Sequence, residues 1–402
     1  MNGQNLKTLY ESLGPRGCVH KLSKLLGEKK LRPDEFSIKE LAESFCGTRW
    51  VQRLHPGNTG RFTTRSLMEA GDGVDVSAFS NITGQLIFSK IHEGWEQVAT
   101  IGDEIFETVP TKLDGEKIPG IGRITGEGQA VHPGMPFPEI GFGEQYWTTP
   151  STIKHGAIVS LTKEAIFFDR TALILRRAAE MGERLKLNIE KRKLAVLAGI
   201  TVQIGNESFN GNNHSWKGVA YNTYATSANA IGINAQTSLP LTDWRDIETL
   251  EQLFVDLLDP DTSNPIMINP DFLIVQPRKY LTSQRIVTAT EVRHGDHDAT
   301  NAVVTLSKNP LAGRSYKVMA SPLLYQLLIS SGLTATQAAQ YWWIGQSKKA
   351  FYYMQNWPLQ VFQAPAQSIK EFEQDIVLRW RADERGVPWV ADPRFVARGT
   401  DT

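Results

Sequence analysis

The sequence predicts an α+β fold, and three observations predict it. Residues 111–149 crowd Gly115, Pro119, Gly120, Gly122, Gly126, Gly128, Pro133, Gly134, Pro136, Pro138, Gly141 and Gly143 into one stretch, more punctuation than a compact domain spends on a connection. Residues 170–198 then give a helical pattern with no proline and only Gly182 inside it. Residues 243–340 alternate helix-like and strand-like runs, and strand patterns continue to the end.

The head segment, residues 1–75, reads as helical at its start. Leu6, Leu9, Tyr10 and Leu13 share one stripe, as do Val19, Leu22, Leu25 and Leu26, and then Phe36, Ile38, Leu41 and Phe45. Gly14-Pro15 and Arg32-Pro33 separate them, and residues 47–75 turn polar and glycine-rich. Residues 76–110 hold a helix from about 77 to 99 and the strand-like run IFETVP. The punctuated stretch 111–149 follows. Ile121, Ile124, Val131, Phe137, Ile140, Phe142, Tyr146 and Trp147 run through it, too apolar for a solvated linker. An arm unable to bury these groups on its own domain buries them on another copy, which points to an assembly subunit.

Residues 150–242 open with a β-branched strand at 152–161 and a short helix for which Thr162 is the cap. Asp169 is placed to cap the long helix at 170–198, which spans roughly 40 Å at 1.5 Å per residue. Leu175, Ala178, Ala179, Leu185, Ile189, Leu194 and Leu197 form its apolar side, with Arg176, Arg177, Glu183, Arg184, Glu190 and Lys191 facing elsewhere. Residues 200–240 are loop-rich. The α/β module at 243–340 opens on Asp243 with Trp244, Ile247, Leu250, Phe254 and Leu257 at helical spacing. It continues with the strand in PDFLIVQP, a helix started by Pro277, and the strand YKVMAS. Residues 341–402 are strands: QYWWIG, then KAFYYMQ and PLQVFQA separated by a turn. In EFEQDIVLRWRAD, Phe372, Ile376, Leu378, Trp380 and Ala382 share one face. Glu384-Arg385-Gly386 is read as the turn after which VPWVADPRFVAR returns.

Composition bounds the chemistry. Lys and Arg number 43 against 43 Asp and Glu, so the chain lacks the basic excess that tight sequence-independent nucleic-acid binding requires. Cys18 and Cys46 are the only thiols, which argues against a disulfide framework or a structural zinc site. The first residues lack a signal-peptide core and no run has the length of a membrane span, so the chain is expected to be soluble, made in the cytoplasm and not membrane-bound. His294-Gly-Asp-His297-Asp298 is the best metal candidate, yet it reads as a polar loop. Gly120, Gly122, Gly126 and Gly128 imitate a phosphate loop without the strand-to-helix context that such a loop needs. No G-x-S-x-G, H-E-x-x-H or Walker lysine occurs. The basic run 184–193 is interrupted by Glu190 and reads as a solvated or intersubunit face. Trp342, Trp343, Trp357, Trp380 and Trp389 read as sheet core or subunit contact. No catalytic, cofactor-binding or metal residue is assigned, and no cofactor is expected.

The order of parts resembles the major capsid protein of tailed bacteriophages, the Hong Kong ninety-seven fold. The residues that carry the resemblance are Phe142-Gly-Glu-Gln-Tyr146 leading into 152–161, Thr162-Lys-Glu-Ala165 before the long helix, Phe272–Pro277, Asn309-Pro-Leu-Ala-Gly313 and Tyr316–Ala320. The arm-to-helix junction is most similar to the head subunits of Mu-like phages. The resemblance runs over about 79–397. It implies an extended loop at 111–149, a spine helix at 170–198 in a peripheral domain at 150–242, an axial domain at 243–340, and C-terminal strands at 341–402 that rejoin the peripheral sheet. It implies a non-enzymatic homo-oligomer of pentamers and hexamers, closing around double-stranded DNA held without sequence specificity. A portal and a scaffold or head protease would be its partners, and it would assemble in the host cytoplasm into the virion. The helical head segment departs from a plain N-terminal arm and is either a scaffold-like region cut away or a retained arm. The competing readings are an encapsulin-type compartment of the same fold and a soluble α/β hydrolase or metal-dependent enzyme using 294–298.

Overall fold

The computed structural model describes residues 73–125, 141–168, 170–216, 219–227, 232–258, 265–295, 304–314, 316–364 and 376–401, with scattered residues between 8 and 41. In chain order these form helix α1 (Gly73–Gln97), α2 (Gly102–Ile105), β1 (Glu107–Pro110), β2 (Lys117–Thr125), β3 (Gly141–Thr148) and β4 (Ile153–Thr162). Next come α3 (Lys163–Phe167), α4 (Thr171–Ala198), β5 (Thr201–Ile204), β6 (Glu207–Asn210), β7 (His214–Trp216), β8 (Val219–Tyr221) and β9 (Ala235–Gln236). Then α5 (Trp244–Val255), β10 (Phe272–Val275), α6 (Tyr280–Thr288), β11 (Glu291–Gly295), β12 (Val304–Lys308) and β13 (Lys317–Ala320) follow. The chain ends with α7 (Pro322–Ser330), α8 (Ala335–Ala338), β14 (Trp342–Gly345), β15 (Phe351–Gln363), β16 (Ile376–Val390) and β17 (Val396–Gly399).

Two compact units share these elements. The first takes residues 1–99, 154–188 and 357–385. Helical spacing builds its core: Ile82, Leu86, Ile87 and Ile91 of α1 and Ile174, Leu175, Ala178, Met181 and Leu185 of α4 are buried together, while Arg176, Arg177, Glu183 and Arg184 face solvent. Leu378, Trp380 and Ala382 add the alternating inner face of β16. Cys18, Leu22, Ile38 and Leu41 of the head segment belong to the same core, and the Ile38 N–H donates to Thr171 Oγ1 at 2.9 Å. Thr162 caps α3 as its sequence predicts, accepting from the Ala165 N–H at 3.3 Å. Asp169 lies outside the described residues.

The second unit takes residues 100–153, 189–356 and 386–402. Its five-stranded sheet runs β13-β10-β14-β17-β9, with β10 parallel to β13 and antiparallel to β14. All four residues of β10 are buried, because both faces are covered. Phe272 and Ile274 pack with Leu324, Leu327 and Leu328 of α7, whereas Leu273 and Val275 pack with Ile247, Leu250 and Phe254 of α5. Asp243 caps α5, and Asp246 returns a bond to the Asp243 N–H at 2.9 Å; such caps contribute about 1 kcal/mol. Residues 192–198 of α4 are buried all round within this unit. The expected loop region 200–240 contains the hairpins β5–β6 and β7–β8 and the short β9.

Two expected turns are absent, and each has a physical reason. KAFYYMQ and PLQVFQA are one strand, β15: β1 pairs with it only from Tyr352 to Gln355, so Pro358 lies past that ladder, where a residue without an N–H is tolerated. Glu384-Arg385-Gly386 does not turn the chain but lies inside β16. Gly386 is there for close approach: a Cβ on it would stand 2.6 Å from both the Met354 carbonyl oxygen and the Tyr353 hydroxyl.

Candidate functional site

The described part of the punctuated stretch holds two paired strands, here called the arm. β2 and β3 pair antiparallel from Lys117↔Thr148 to Thr125↔Gly141, and the register slips between Ile121 and Ile124. Gly122 falls in that slip, the kind of position at which a bulge bends a ladder, so Gly120 and Gly122 belong to a strand and not to a phosphate loop; Gly126 and Gly128 lie outside the described residues. The nine residues of β2 extend roughly 30 Å at about 3.3 Å each. β2 and β3 form a sheet of their own.

A polar clamp fixes the root of this arm. Asp114 Oδ1 accepts from the Thr152 N–H at 2.7 Å and from the Thr152 hydroxyl at 3.0 Å. The Glu116 carbonyl accepts from the Thr149 N–H at 3.0 Å and from its hydroxyl at 2.9 Å. Gly115 between them has φ +71°, a left-handed conformation that glycine adopts without strain. Asn356 Nδ2 donates to the carbonyls of Thr111 and Leu113, both at 3.2 Å. Sequence reasoning did not single out these residues, although Asp114-Gly115 is a turn signal. Beyond the clamp, β3 runs beside β7.

A buried charged node corrects the solvated reading of 184–193 at its C-terminal end. Glu190, Arg192 and Lys193 are all buried. Glu190 Oε1 accepts from the N–H groups of Ile101 and Gly102 at 3.0 Å each, closing the N-terminus of α2, where a negative charge is favoured. Burial pushes the Glu190 carboxyl up, opposed by the Gly102 N–H and the Lys193 ammonium. Lys193 Nζ is 2.5 Å from Asp103 Oδ1 and sits over the Tyr353 ring at 4.9 Å. Arg192 donates to the Gly386 carbonyl at 2.8 Å. Glu190 was expected on the solvent side, but here the helix is surrounded by core, so its charges are satisfied internally. Arg184 is exposed as expected.

In the first unit, β4 and α4 border a groove of 680 Å³ lined by His155, Ile158, Val159, Arg177, Met181 and Arg184 among others. The tryptophans divide as expected for sheet core: Trp342, Trp343, Trp380 and Trp389 are buried, and Trp357 is half-buried with the Lys154 ammonium 5.8 Å from its ring centre. Of the metal candidate, His294 and Gly295 lie in β11, paired with Thr305 and Val304, while Asp296, His297 and Asp298 lie outside the described residues. Among the described residues no group of three or more His, Cys, Asp or Glu side chains is arranged to hold a metal, and no helix is long and apolar enough to cross a membrane.

A family model described as phage capsid protein matches residues 145–399, from within β3 to the end of β17 and well over half of the chain. The chain belongs to that family. Solved structures similar to this capsid-family chain include the capsid of cyanophage P-SCSP1u, at 12% identity and TM-score 0.43, covering 76% of this chain and 88% of that one. Gordonia phage Cozz is similar at 14% identity and TM-score 0.42, covering 77% and 89%. The capsid of a native GTA particle is similar at 12% identity and TM-score 0.40, covering 74% and 88%. No curated protein matches the chain.

Proposed function

We propose that this capsid-family chain is a major head subunit whose copies close into an icosahedral shell of pentamers and hexamers around double-stranded DNA. The observation that carries the reading is the arm. A two-stranded hairpin is marginal in water on its own, and this one combines a roughly 30 Å reach, an apolar text and a root clamped by Asp114, Thr149, Thr152 and Asn356. Such an element gains its stability from a second copy, and in a closed shell every subunit has one. The chemistry is then buried surface between copies and not a reactive site. A balanced net charge suits a container that encloses DNA without gripping it, because there is no basic excess to hold phosphates. Portal and head protease would be its partners during assembly in the host cytoplasm.

Negative-stain microscopy of the purified chain tests this. Closed particles or capsomer-sized rings are expected, and particles from phage-producing cells should protect DNA from nuclease. A monodisperse monomer or dimer across salt conditions would remove the shell reading. Closed particles filled with a cargo protein and free of DNA would replace it with a compartment.

A further inference from the structure

His214 is buried at the start of β7, with 2% of its surface exposed. Its Nδ1 is 3.3 Å from the Val390 carbonyl oxygen, so the neutral ring that fits this place carries its proton on Nδ1 and donates it there. Nε2 is buried and has no hydrogen-bond partner among the described residues. The neighbouring Asn213 side chain ties the same strand, donating to the Pro388 carbonyl at 3.0 Å and accepting from the Val390 N–H at 3.2 Å. His214 and Asn213 together thus hold the β7–β8 hairpin to the end of β16.

The charged groups around the ring do not welcome a second proton. Asp392 is the acid whose charge favours a protonated ring, but its carboxylate is already engaged by Arg394, whose Nε and Nη2 donate at 2.9 and 2.8 Å. Arg394 itself opposes an imidazolium. Residues 386–390 carry no titratable group, Tyr221 is the residue of β8 opposite His214, and β3 brings Glu144 and Tyr146 in its sequence. Proton uptake at Nε2 would leave a buried cation without an acceptor, which a fold avoids by opening.

We propose that His214 is an acid-released latch: its neutral ring holds the β7–β8 hairpin, and through it the returning strand of the arm, while its imidazolium lets them go. Burial holds the imidazole below its usual value of 6.5. The opened state therefore binds more protons than the closed one, and closure is fully favoured above about pH 6.5 and weakens as pH falls below it. The loss is roughly tenfold per pH unit until the ring titrates in place. This goes beyond the shell reading, because it is a property of the single subunit.

Hydrogen exchange of the full chain tests it, comparing segments 141–148 and 214–221 at about pH 7.5 and about pH 5, a range that brackets imidazole titration, after correction for intrinsic exchange. Wild type should show roughly tenfold or more faster opening of both segments in acid, and His214→Gln, which cannot be protonated, should not. His132 in the arm is the competing source, so His132→Gln should keep the full acid response. An unchanged response in His214→Gln, or its loss in His132→Gln, would overturn the latch. Should His214→Gln fail to fold, an NMR titration of wild type decides: a His214 ring that titrates at or above about 6.5 rejects the proposal, and one that stays neutral below that value upholds it.

Discussion

Gly94 and Gly182 allow α1 and α4 to touch backbone to backbone. A Cβ on Gly94 would stand 2.1 Å from the Ala179 carbonyl oxygen, and one on Gly182 would stand 2.0 Å from that of Ile91. Neither neighbour is the free end of a side chain, so neither can swing away. Gly182→Ala would gain about 1 kcal/mol of helix propensity, yet separating two packed helices costs more, typically about 1–3 kcal/mol. A lower melting temperature is expected for Gly94→Ala and Gly182→Ala. Gly313→Ala, with nothing within 4 Å of the added atom, should melt with wild type. Equal melting of all three would mean that the helices are not in contact.

Leu185 is the side chain of α4 on which the first unit's core should depend most visibly. It is buried in a cluster of apolar groups, and Leu185→Asp places there a charge without a partner, a change that typically costs several kcal/mol. Insoluble or molten protein is expected. Arg184→Ala, one residue away and exposed, should change stability by less than about 0.5 kcal/mol. Solubility and thermal melting of the pair check the assignment of faces.

This helix also shows what a sequence exposes and what it hides. Leu175, Ala178 and Leu185 were legible because helical spacing repeats over many residues, and Thr162 was legible because a cap is a local event. Glu190, Arg192 and Lys193 were not legible. A charge on a helix reads as solvated unless one knows that the helix has passed into a core on all sides, and that knowledge is tertiary. Gly386 misled for a related reason: glycine marks a turn or a close approach with the same letter, and only the Met354 carbonyl and the Tyr353 ring beside it decide between them. The paired strands β2 and β3 fall within the stretch that its glycines and prolines had marked off. The clamp at their root was not legible, since Asp114, Thr149, Thr152 and Asn356 are unremarkable alone and meet only in the fold.

Glu190 gives a prediction with a sign that depends on pH. Its folded-state pKa is raised by burial above 4.5, so the folded state holds its proton more tightly than the unfolded one, and this group's contribution to stability falls as pH rises through the window above about 4.5. Glu190→Gln keeps an acceptor for the Gly102 N–H and removes the charge. Relative to wild type it should therefore gain stability as pH rises above about 4.5. Glu190→Ala strands the buried Gly102 N–H and leaves the part-buried Ile101 N–H without its acceptor, and should cost about 1–3 kcal/mol for the buried group at any pH. Denaturant melts of the three proteins across pH test this, and parallel curves for wild type and Glu190→Gln would show that Glu190 carries no charge penalty.

Arm replacement should separate folding from assembly. Exchanging residues 120–142 for a short Gly/Ser linker leaves Asp114, Thr149, Thr152 and Asn356 in place, so the subunit should still melt cooperatively. Closed shells should be lost, because the replaced strands are those whose stability is assigned to a neighbouring copy. Thermal melting and negative-stain images of the same preparation check both halves. Loss of the cooperative melt would place the arm in the subunit's own core.

The head segment is the last test, since its two readings differ in mass. Cys18, Leu22, Ile38 and Leu41 are each no more than 1% exposed in the first unit's core. Leu22→Ala should then cost about 2–5 kcal/mol, as for any core leucine, and deletion of residues 1–45 should leave insoluble protein. Cutting such a segment away is expected to expose the α1 and α4 side chains with which Cys18, Leu22, Ile38 and Leu41 are buried, so retention of the peptide is the expected outcome. Intact mass of the major band from mature particles should accordingly give the full chain, or a cut chain whose N-terminal peptide stays bound and is recovered with the particle. A shortened subunit with the peptide absent, in a particle of undiminished stability, would show that these contacts belong to the precursor alone.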